Sequence, residues 1–206
     1  MKTIALLSQK GGSGKTTVAV HLAVAAEQAK ERVVLIDTDP QQSATVWGTA
    51  RESLTPIVAT AAVGDLEKVL DAAQVEHMSL CIVDTTPHAA PEAACVAKSV
   101  DLIVIPCRPT AFDIAAVSSA VEIARAAKVR AVIVLSACPF RAPEIRETRE
   151  VLAAYGLPIF QSEITERRAF ARAIATGRAV TEFEAEGKAA TEIRALWRWI
   201  KKEQLR

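Results

Sequence analysis

The chain has 206 residues, of which 50% are apolar and 24% charged, the composition of a globular protein of one ordinary domain. This composition excludes a disordered, collagen-like or low-complexity protein. The formal net charge of +1 does not indicate a nucleic-acid or membrane partner. Residues 141–206 are nevertheless mildly basic, with 13 basic and 10 acidic side chains.

Short apolar runs rich in β-branched residues alternate with longer, alanine-rich runs. The short runs predict buried strands over Thr3–Ser8, Arg32–Asp37, Leu80–Asp84, Asp101–Pro106 and Arg130–Ser136. The longer runs predict helices over Thr16–Lys30, Gln42–Glu52, Asp65–Ala73, Pro91–Lys98, Ile114–Ala127, Pro143–Tyr155, Glu166–Thr176 and Ala185–Gln204. Residues 156–160 could add one more strand. This alternation predicts one α/β domain over residues 1–206, with a doubly wound, mostly parallel sheet and helices on both faces.

The cysteines and the apolar stretches of the sequence indicate no metal or redox site, no membrane span and no signal peptide. No C-x-x-C pair is present, so neither a zinc site nor a redox motif is indicated, and we expect the thiols to be buried and free: Cys81, Cys95, Cys107 and Cys138. No apolar stretch reaches the length of a membrane span, and the first ten residues are typical of a strand rather than a signal peptide. A cytoplasmic protein is expected.

The segment Gln9–Thr17 joins the first predicted strand to the first predicted helix and has the character of a phosphate-binding loop. Its glycines allow backbone N–H groups to turn towards phosphate oxygens, and the helix that follows adds its positive dipole. We expect Lys15 to contact the β- and γ-phosphates and the Thr16 hydroxyl to bind Mg²⁺. The predicted nucleotide-binding residues are Lys10, Gly11, Gly12, Ser13, Gly14, Lys15, Thr16 and Thr17.

This loop departs from the ordinary pattern, which would need glycine at position 9, and it carries a second lysine, Lys10. In these residues the chain resembles the deviant Walker A ATPases of the MinD/ParA superfamily, and especially the short ParA-type partition ATPases that lack an N-terminal DNA-reading extension. The resemblance implies a P-loop NTPase fold, ATP and Mg²⁺ as cofactors, slow basal hydrolysis, and a homodimer that forms with ATP. In that dimer Lys10 would reach the phosphates bound by the other subunit. Operator-specific repression is not expected.

Three aspartates lie at or just beyond the carboxyl ends of predicted strands. Asp37 and Asp39 end the second strand in a segment that looks like the family's D-x-D-P-Q motif, and residues two apart on an extended chain share a face. By the resemblance Asp39 would position the attacking water and Asp37 would lie near Mg²⁺; the alternative is a pair of loop acids capping the next helix. Asp84 ends an apolar strand in the Walker B manner and would hold Mg²⁺. The Thr85-Thr86-Pro87 segment after it differs from the family's usual D-x-P-P form.

Two further segments lie where ligands of parallel sheets bind, beyond the carboxyl ends of strands. Residues 105–113 resemble the family's P-x-x-P segment, which would shape a dimer contact and one wall near the nucleotide; a rigid turn is the alternative. Residues 136–140 follow the last clear strand and are our predicted adenine-contacting segment, in which we name Pro139 and Phe140 as contacts.

Basic residues recur at helical spacing after position 163, in the part of the chain where partition ATPases contact DNA. We expect this part, about residues 163–206, to bind the DNA backbone without reading bases. The predicted DNA-binding residues are Arg167, Arg168, Arg172, Arg178, Arg194, Arg198 and Lys201. The alternative is a solvated helix face, because glutamates are interspersed with the arginines.

The last predicted helix allows two further interpretations. Ile193, Leu196, Trp197 and Ile200 follow the spacing of a helix packed on its own domain, and only Trp199 lies off that stripe. A basic helix with tryptophans can instead lie on a membrane surface, as MinD-like proteins do, although we expect no stable membrane association.

Taken with the resemblance, these features predict a nucleoid-associated ATPase that partitions or positions a cargo: a plasmid, a chromosome or a protein assembly. Its partner would be a ParB-like, small centromere-binding or cargo adaptor protein that stimulates hydrolysis. Two alternatives stay open. One is a MinD-like ATPase that cycles on a membrane through residues 193–206. The other is a metabolic enzyme with a deviant phosphate loop, which would need a second substrate site or a cysteine pair for a cluster.

Overall fold

A computed structural model describes residues 1–87 and 90–205 of the chain. Within them one sheet of six strands has the order β3-β2-β4-β1-β5-β6, and every pairing is parallel. The strands are β1 (Lys2–Leu6), β2 (Val33–Asp37), β3 (Ile57–Thr60), β4 (Leu80–Asp84), β5 (Leu102–Cys107) and β6 (Arg130–Leu135). The predicted α/β class and parallel sheet are confirmed.

Helices cover both faces of this sheet. In chain order they are α1 (Lys15–Gln28), α2 (Ser43–Thr49), α3 (Leu66–Val75), α4 (Ala90–Lys98), α5 (Ala111–Ala127), α6 (Glu144–Ala153), α7 (Arg168–Ala175), α8 (Val180–Phe183) and α9 (Lys188–Trp199). A 3₁₀ turn, Val63–Asp65, precedes α3, and α9 continues into a π-helical turn, Ile200–Gln204. The buried side chains of α1, α2 and α7–α9 pack on one face of the sheet, and those of α3–α6 pack on the other.

The structure corrects several boundaries. The sequence pattern missed β3, which has only four residues at the edge of the sheet, half-exposed or exposed and without a buried apolar run. The extra strand at residues 156–160 is reduced to a single bridge between Ile133 and Ile159. α7 begins at Arg168 rather than at residue 166, because Thr165 still forms a parallel bridge with Cys138.

The packing of the C-terminal helix is settled by burial. Ile193, Leu196, Trp197 and Ile200 are all buried in the core that α1 shares, so the predicted packing stripe is confirmed. Trp199 also packs partly against this core, with its ring 5.3 Å from that of Phe160. No helix among the described residues is long and apolar enough to cross a membrane.

The cysteines are free, as predicted, but not all of them are buried. Cys81, Cys107 and Cys138 lie in or beside strands, and burial raises the pKa of each thiol to about 12, so these groups stay protonated. Cys95 is exposed on the outer side of α4, and the prediction that it is buried is wrong.

His21, on the inner side of α1, is a fully buried titratable group. Its Nδ1 accepts a hydrogen bond of 3.1 Å from the Val180 N–H, and its ring meets that of Phe170 edge-on at 5.0 Å. Burial lowers the pKa of this imidazole to about 3, because the charged form would lose its hydration. The side chain therefore joins α1 to the start of α8 as a neutral group.

The buried imidazole predicts acid sensitivity. Between about pH 6.5 and pH 3 the unfolded chain binds a proton at His21 that the folded chain does not, so the free energy of unfolding falls as the pH falls. Between pH 7 and pH 5 we expect a loss of about 2 kcal/mol from this group, measured by urea titration at both pH values. His21→Gln keeps an acceptor for Val180 and is expected to remove this component, whereas His77→Gln, at an exposed residue, is not. Equal pH dependence of the unmodified chain and His21→Gln would contradict the assignment.

Candidate functional site

The glycine loop leaves β1 at the carboxyl edge of the sheet and closes directly onto α1. Gly12 and Gly14 have φ of +75° and +94°, a left-handed backbone that side chains disfavour. The Ser136 hydroxyl, just after β6, donates to the Ser13 carbonyl at 2.8 Å and anchors the loop from the opposite side. α1 begins at Lys15, so the N–H groups of its first turn face the space that the loop encloses. This is the geometry of an anion cradle.

Lys15 is buried beneath this loop, with a relative exposure of 6%. Its ammonium donates to the Ser8 carbonyl at 3.3 Å and to the Lys10 carbonyl at 3.4 Å. Burial lowers the pKa of Lys15, and the negative charges of Asp84 and Asp39 oppose that change. Among the described residues this ammonium has only these two long carbonyl contacts, and a buried cation paired so weakly is stabilised strongly when an anion enters the cradle.

Asp84 is placed beside Asp37 by the register of β4 against β2, in which the two residues are direct neighbours. Both oxygens of the fully buried Asp84 carboxylate lack a hydrogen bond of normal geometry among the described residues. Burial raises the pKa of Asp84 to about 7; the nearby Thr16 hydroxyl and Lys15 lower it, while Asp37 and Asp39 raise it further. An orphaned buried carboxylate facing a hydroxyl is a site that a cation would complete.

These residues fit Mg²⁺ rather than a metal held by protein alone. No group of three or more His, Cys, Asp or Glu side chains in residues 1–87 and 90–205 is arranged to hold a metal by itself. Mg²⁺ usually takes one or two protein ligands and completes its octahedron with water and substrate phosphate oxygens. Asp84 and Thr16 would be those ligands, directly or through water.

Asp37 is held differently from Asp84. Its Oδ2 accepts hydrogen bonds from the Thr45 N–H at 2.8 Å and from the Thr45 hydroxyl at 3.0 Å, and its Oδ1 accepts from the Asp39 N–H at 3.1 Å. Asp37 is therefore occupied by donors of α2 and of its own loop, whereas Asp84 offers free oxygens. Asp39 is half-buried and accepts from the Gln41 N–H at 2.9 Å. Sequence reasoning missed Thr45, since threonine in a first helical turn is common in any helix.

The Thr85-Thr86 segment, which departs from the family form, ties strand ends together. The Thr85 hydroxyl donates to the Leu6 carbonyl at 2.6 Å, and the Thr86 hydroxyl donates to the Thr38 carbonyl at 3.2 Å. Thr38 in turn donates its own hydroxyl to the Asp84 carbonyl at 2.9 Å. These bonds hold the carboxyl ends of β1, β2 and β4 in register around the loop.

Lys10 is held by its own subunit. Its ammonium forms an ion pair with Asp113 in α5, a buried carboxylate that also accepts from the Thr110 hydroxyl, and it lies 5.9 Å from the centre of the exposed Phe112 ring. The lysine side chain keeps 34% of its exposure, so it can leave this position. The P-x-x-P segment thus supplies a holding site for Lys10, which sequence reasoning did not identify.

A mostly apolar cavity of about 460 Å³ adjoins the glycine loop. It lies between the loop, the residues just after β6 and the inner side of α7, and is lined among others by Gly12, Thr17, Ala137, Phe170 and Ile174. Its size and walls suit a planar heterocycle beside the phosphate cradle. Ser136 and Ala137 line it, whereas the predicted contacts Pro139 and Phe140 do not belong to this lining; Phe140 is 62% exposed, with Arg141 stacked at 5.0 Å.

The structure divides the predicted DNA-binding residues. Arg168 and Arg172 are exposed on α7, Arg178 is exposed before α8, and Arg172 contacts Glu184 at 3.9 Å. The neighbouring Ala185 carbonyl accepts from Arg194 at 2.6 Å, so the α7 arginines adjoin Arg194, whereas Arg198, one turn later, lies beside Gln28 and Ala29 at the end of α1.

Besides Arg198, two of the predicted residues lie apart from the α7 arginines. Arg167 pairs with Glu192 at 2.7 Å and lines the cavity beside the glycine loop. Lys201 pairs with Glu31 at 2.6 Å, next to the residues that precede β2, and so lies at the amino edge of the sheet, opposite the glycine loop. The outward basic surface is therefore Arg168, Arg172, Arg178 and Arg194, which we name the α7–α9 arginine surface.

Comparisons with known proteins agree with this geometry. Residues 4–180 match the CobQ/CobB/MinD/ParA nucleotide binding domain. "Maintenance of carboxysome distribution protein A" of Gloeobacter kilaueensis is 34% identical, over 98% of this chain and 93% of that protein. Among solved structures, apo McdA of Cyanothece superposes with a TM-score of 0.76 at 17% identity, covering 98% of both chains. MinD of Pyrococcus horikoshii with Mg-ADP superposes with a TM-score of 0.78 at 15% identity, covering 98% of this chain and 96% of that one.

Proposed function

Because this chain belongs to the CobQ/CobB/MinD/ParA family of nucleotide-binding domains, we propose that it is a ParA-type ATPase that positions a cargo on DNA. The observation that carries the proposal is the buried Lys15 ammonium beneath the glycine loop, next to the orphaned carboxylate of Asp84. The positive charge of Lys15 suits the phosphates of a nucleoside triphosphate, and the carboxylate of Asp84 suits the divalent cation that accompanies them. The family's fold supports ATP hydrolysis as the activity.

The described residues divide the work of nucleotide binding. The loop N–H groups, from Gly11 to Thr17, would bind phosphate oxygens, and Lys15 would exchange its carbonyl contacts for the β- and γ-phosphates. Thr16 and Asp84 would hold Mg²⁺, which neutralises charge on the transferred phosphoryl group. Asp39, anchored through Asp37, would orient the attacking water from the opposite side. The cavity against α7 would take the base.

Lys10 makes dimer formation dependent on the nucleotide. In the single subunit its ammonium is paired with Asp113, and both partners would lose this ion pair if Lys10 crossed to another subunit. Phosphate charge on that subunit's nucleotide would replace the carboxylate as the lysine's partner. The homodimer would therefore close with ATP and open after hydrolysis, when the γ-phosphate is gone.

The names of two relatives support the choice of cargo class. The protein from Gloeobacter is named for the maintenance of carboxysome distribution, and a ParA of Caulobacter vibrioides is named for chromosome partitioning. For this chain we propose a protein assembly as the cargo and an adaptor protein as the activator of hydrolysis. The α7–α9 arginine surface would hold the closed dimer on the nucleoid by non-specific phosphate contacts.

Binding to non-specific duplex DNA tests this proposal. The affinity is measured at fixed moderate salt with ATP, with ADP and without nucleotide, all with Mg²⁺. Binding that requires ATP is the expected result. Absence of binding in all three states would remove the DNA surface, and binding of anionic liposomes with ATP would then favour a MinD-like membrane cycle through the C-terminal helix.

Charge reversal tests which surface binds DNA. The double variant Arg168→Glu and Arg172→Glu is expected to weaken ATP-dependent DNA binding at least about 30-fold, because phosphate contacts become repulsive, while basal ATPase activity changes little. The matched control, Lys98→Glu and Arg146→Glu, makes the same charge change at exposed residues of α4 and α6 on the other face of the sheet. Equal DNA affinity of the two double variants would refute the α7–α9 arginine surface.

A further inference from the structure

α2 is attached at its beginning to the nucleotide site. Thr45, in its first turn, donates both its N–H and its hydroxyl to Oδ2 of the buried Asp37. The Thr45 hydroxyl also lies 2.9 Å from that of Thr60 on β3. Because Asp37 is the direct neighbour of Asp84 in the sheet, a cation bound with the nucleotide at Asp84 would lie close to the carboxylate that Thr45 holds.

The other end of α2 is attached to the turn between α7 and α8. Arg51, two residues beyond the helix, has a side chain only 3% exposed, and its guanidinium pairs with both oxygens of Glu182, at 3.1 and 2.9 Å. The same guanidinium donates to the carbonyls of Gly177, at 3.0 Å, and Thr55, at 2.6 Å. A bidentate pair of this kind fixes the orientation of the guanidinium relative to the carboxylate as well as the distance between them.

Close packing makes this attachment rigid. The Trp47 indole N–H donates to the Arg178 carbonyl at 3.2 Å, and the Arg51 guanidinium stacks on the Trp47 ring at 4.6 Å. Gly177 has φ +66°, and a Cβ there would lie 2.2 Å from the Ala50 carbonyl oxygen. A Cβ at Gly48 would lie 2.8 Å from Val58 on β3. α2 therefore has no room to shift at one end independently of the other.

We propose that α2 is a strut, with Thr45 and Arg51 as positioning residues, that passes the state of the Asp37–Asp84 pair to the α7–α8 turn. The strut is short, about 10 Å for seven residues, so we expect it to move as a rigid body. A displacement of Thr45 would therefore displace Arg51 as well. The turn that it holds lies between α7, whose inner side forms a wall of the base cavity, and α8. α7 also carries Arg168 and Arg172, so nucleotide state would reach the arginine surface along this path. This last step rests on the proposed function.

The Trp47 indole N–H offers a direct reporter of the strut. Spectra of ¹⁵N-labelled indole groups are recorded without nucleotide, with Mg·ADP and with Mg·ATP, and Trp47→Phe assigns the resonance. Nucleotide affinity is measured separately by calorimetry. In the unmodified chain the Trp47 resonance is expected to move when either nucleotide binds, and Thr45→Val is expected to bind nucleotide yet reduce this movement at least about threefold.

Two variants separate positioning from mere loss of structure. Thr45→Ser keeps the hydroxyl and is expected to restore the movement. Thr49→Val, one turn later, is the matched control, because in the part of the chain that the structure describes the Thr49 hydroxyl bonds only the Thr45 carbonyl. A Trp47 resonance that stays still in the unmodified chain with nucleotide bound, or that moves equally in Thr45→Val, would overturn the strut. Failure of the unmodified chain to bind nucleotide would overturn the proposed function and the strut together.

The far end of the strut is tested on DNA. Glu182→Gln weakens the pair with Arg51 but leaves an oxygen to accept from the Ala179 N–H, which Glu182 holds at 2.8 Å. The ratio of DNA affinities with ATP and with ADP is expected to fall at least about fivefold, with nucleotide affinity retained. Glu163→Gln makes the same charge change at a longer, single contact of 3.4 Å with Arg149, away from α2, and is the control. An unchanged ratio in Glu182→Gln would remove Arg51 from the path.

Discussion

Replacement of Lys15 by alanine is expected to weaken ATP binding at least about 100-fold, or about 2.7 kcal/mol. The ammonium is buried beneath the glycine loop, bonded only to two carbonyl oxygens, so its attraction for phosphate is little screened by water. The fold is expected to survive, because removal of a poorly paired buried cation relieves a desolvation cost. Isothermal calorimetry with ATP and Mg²⁺, together with thermal unfolding, measures both quantities.

Lys10→Ala is the control for this variant, because we propose that Lys15 binds the phosphates in its own subunit whereas Lys10 contacts the nucleotide of the other subunit. Lys10 points away to Asp113 and contributes to the cradle only through its carbonyl, so the variant is expected to bind ATP within about threefold of the unmodified chain. It is expected to remain monomeric with ATP, which sedimentation measures. Undiminished ATP affinity in Lys15→Ala would place the phosphate site elsewhere in the protein.

Replacement of Asp39 by alanine is expected to slow ATP hydrolysis about 10²- to 10⁴-fold while ATP affinity changes little. Asp39 is half-buried, and its negative charge opposes the lowering of the Lys15 pKa that burial causes, so the two side chains lie close together. The hydrogen bond from the Asp39 N–H to Asp37 fixes the backbone at this position. Without the carboxylate the attacking water loses its orienting group, although the phosphate cradle is intact. Single-turnover hydrolysis and sedimentation with ATP are the measurements, and a long-lived ATP dimer is the expected product.

Asp39→Asn distinguishes charge from local structure. The asparagine side chain can still accept from the Gln41 N–H, as Asp39 does at 2.9 Å, so the turn is preserved while the negative charge is lost. Hydrolysis as slow as in the alanine variant is expected. Asp65→Ala, at an exposed residue paired only with Lys68, serves as the unaffected reference. Normal turnover of Asp39→Asn would show that the negative charge of Asp39 is not needed to orient the attacking water.

The sequence by itself determined the parts of the protein whose physics is local. The glycine loop could be identified because backbone conformation, strand end and helix start occur in consecutive residues, from Gln9 to Thr17. The apolar alternation likewise predicted the buried strands and the parallel sheet, since strands covered on both faces are apolar throughout. The stripe on α9 was sufficient to predict its packing, because helical spacing places those residues on one side.

Only the tertiary structure decided which distant residues meet. The pairing of Lys10 with Asp113, of Arg51 with Glu182, and of Thr45 with Asp37 depends on strand order and helix placement, which no local pattern encodes. The strand β3 escaped detection because an edge strand buries too little surface to need an apolar run. The arginines have identical local signals, yet packing turned Arg167 towards Glu192 and left Arg168 exposed. The exposure of an arginine and the residue with which it pairs are properties of the folded chain. The positive charge alone therefore could not show which of these arginines are free to contact DNA.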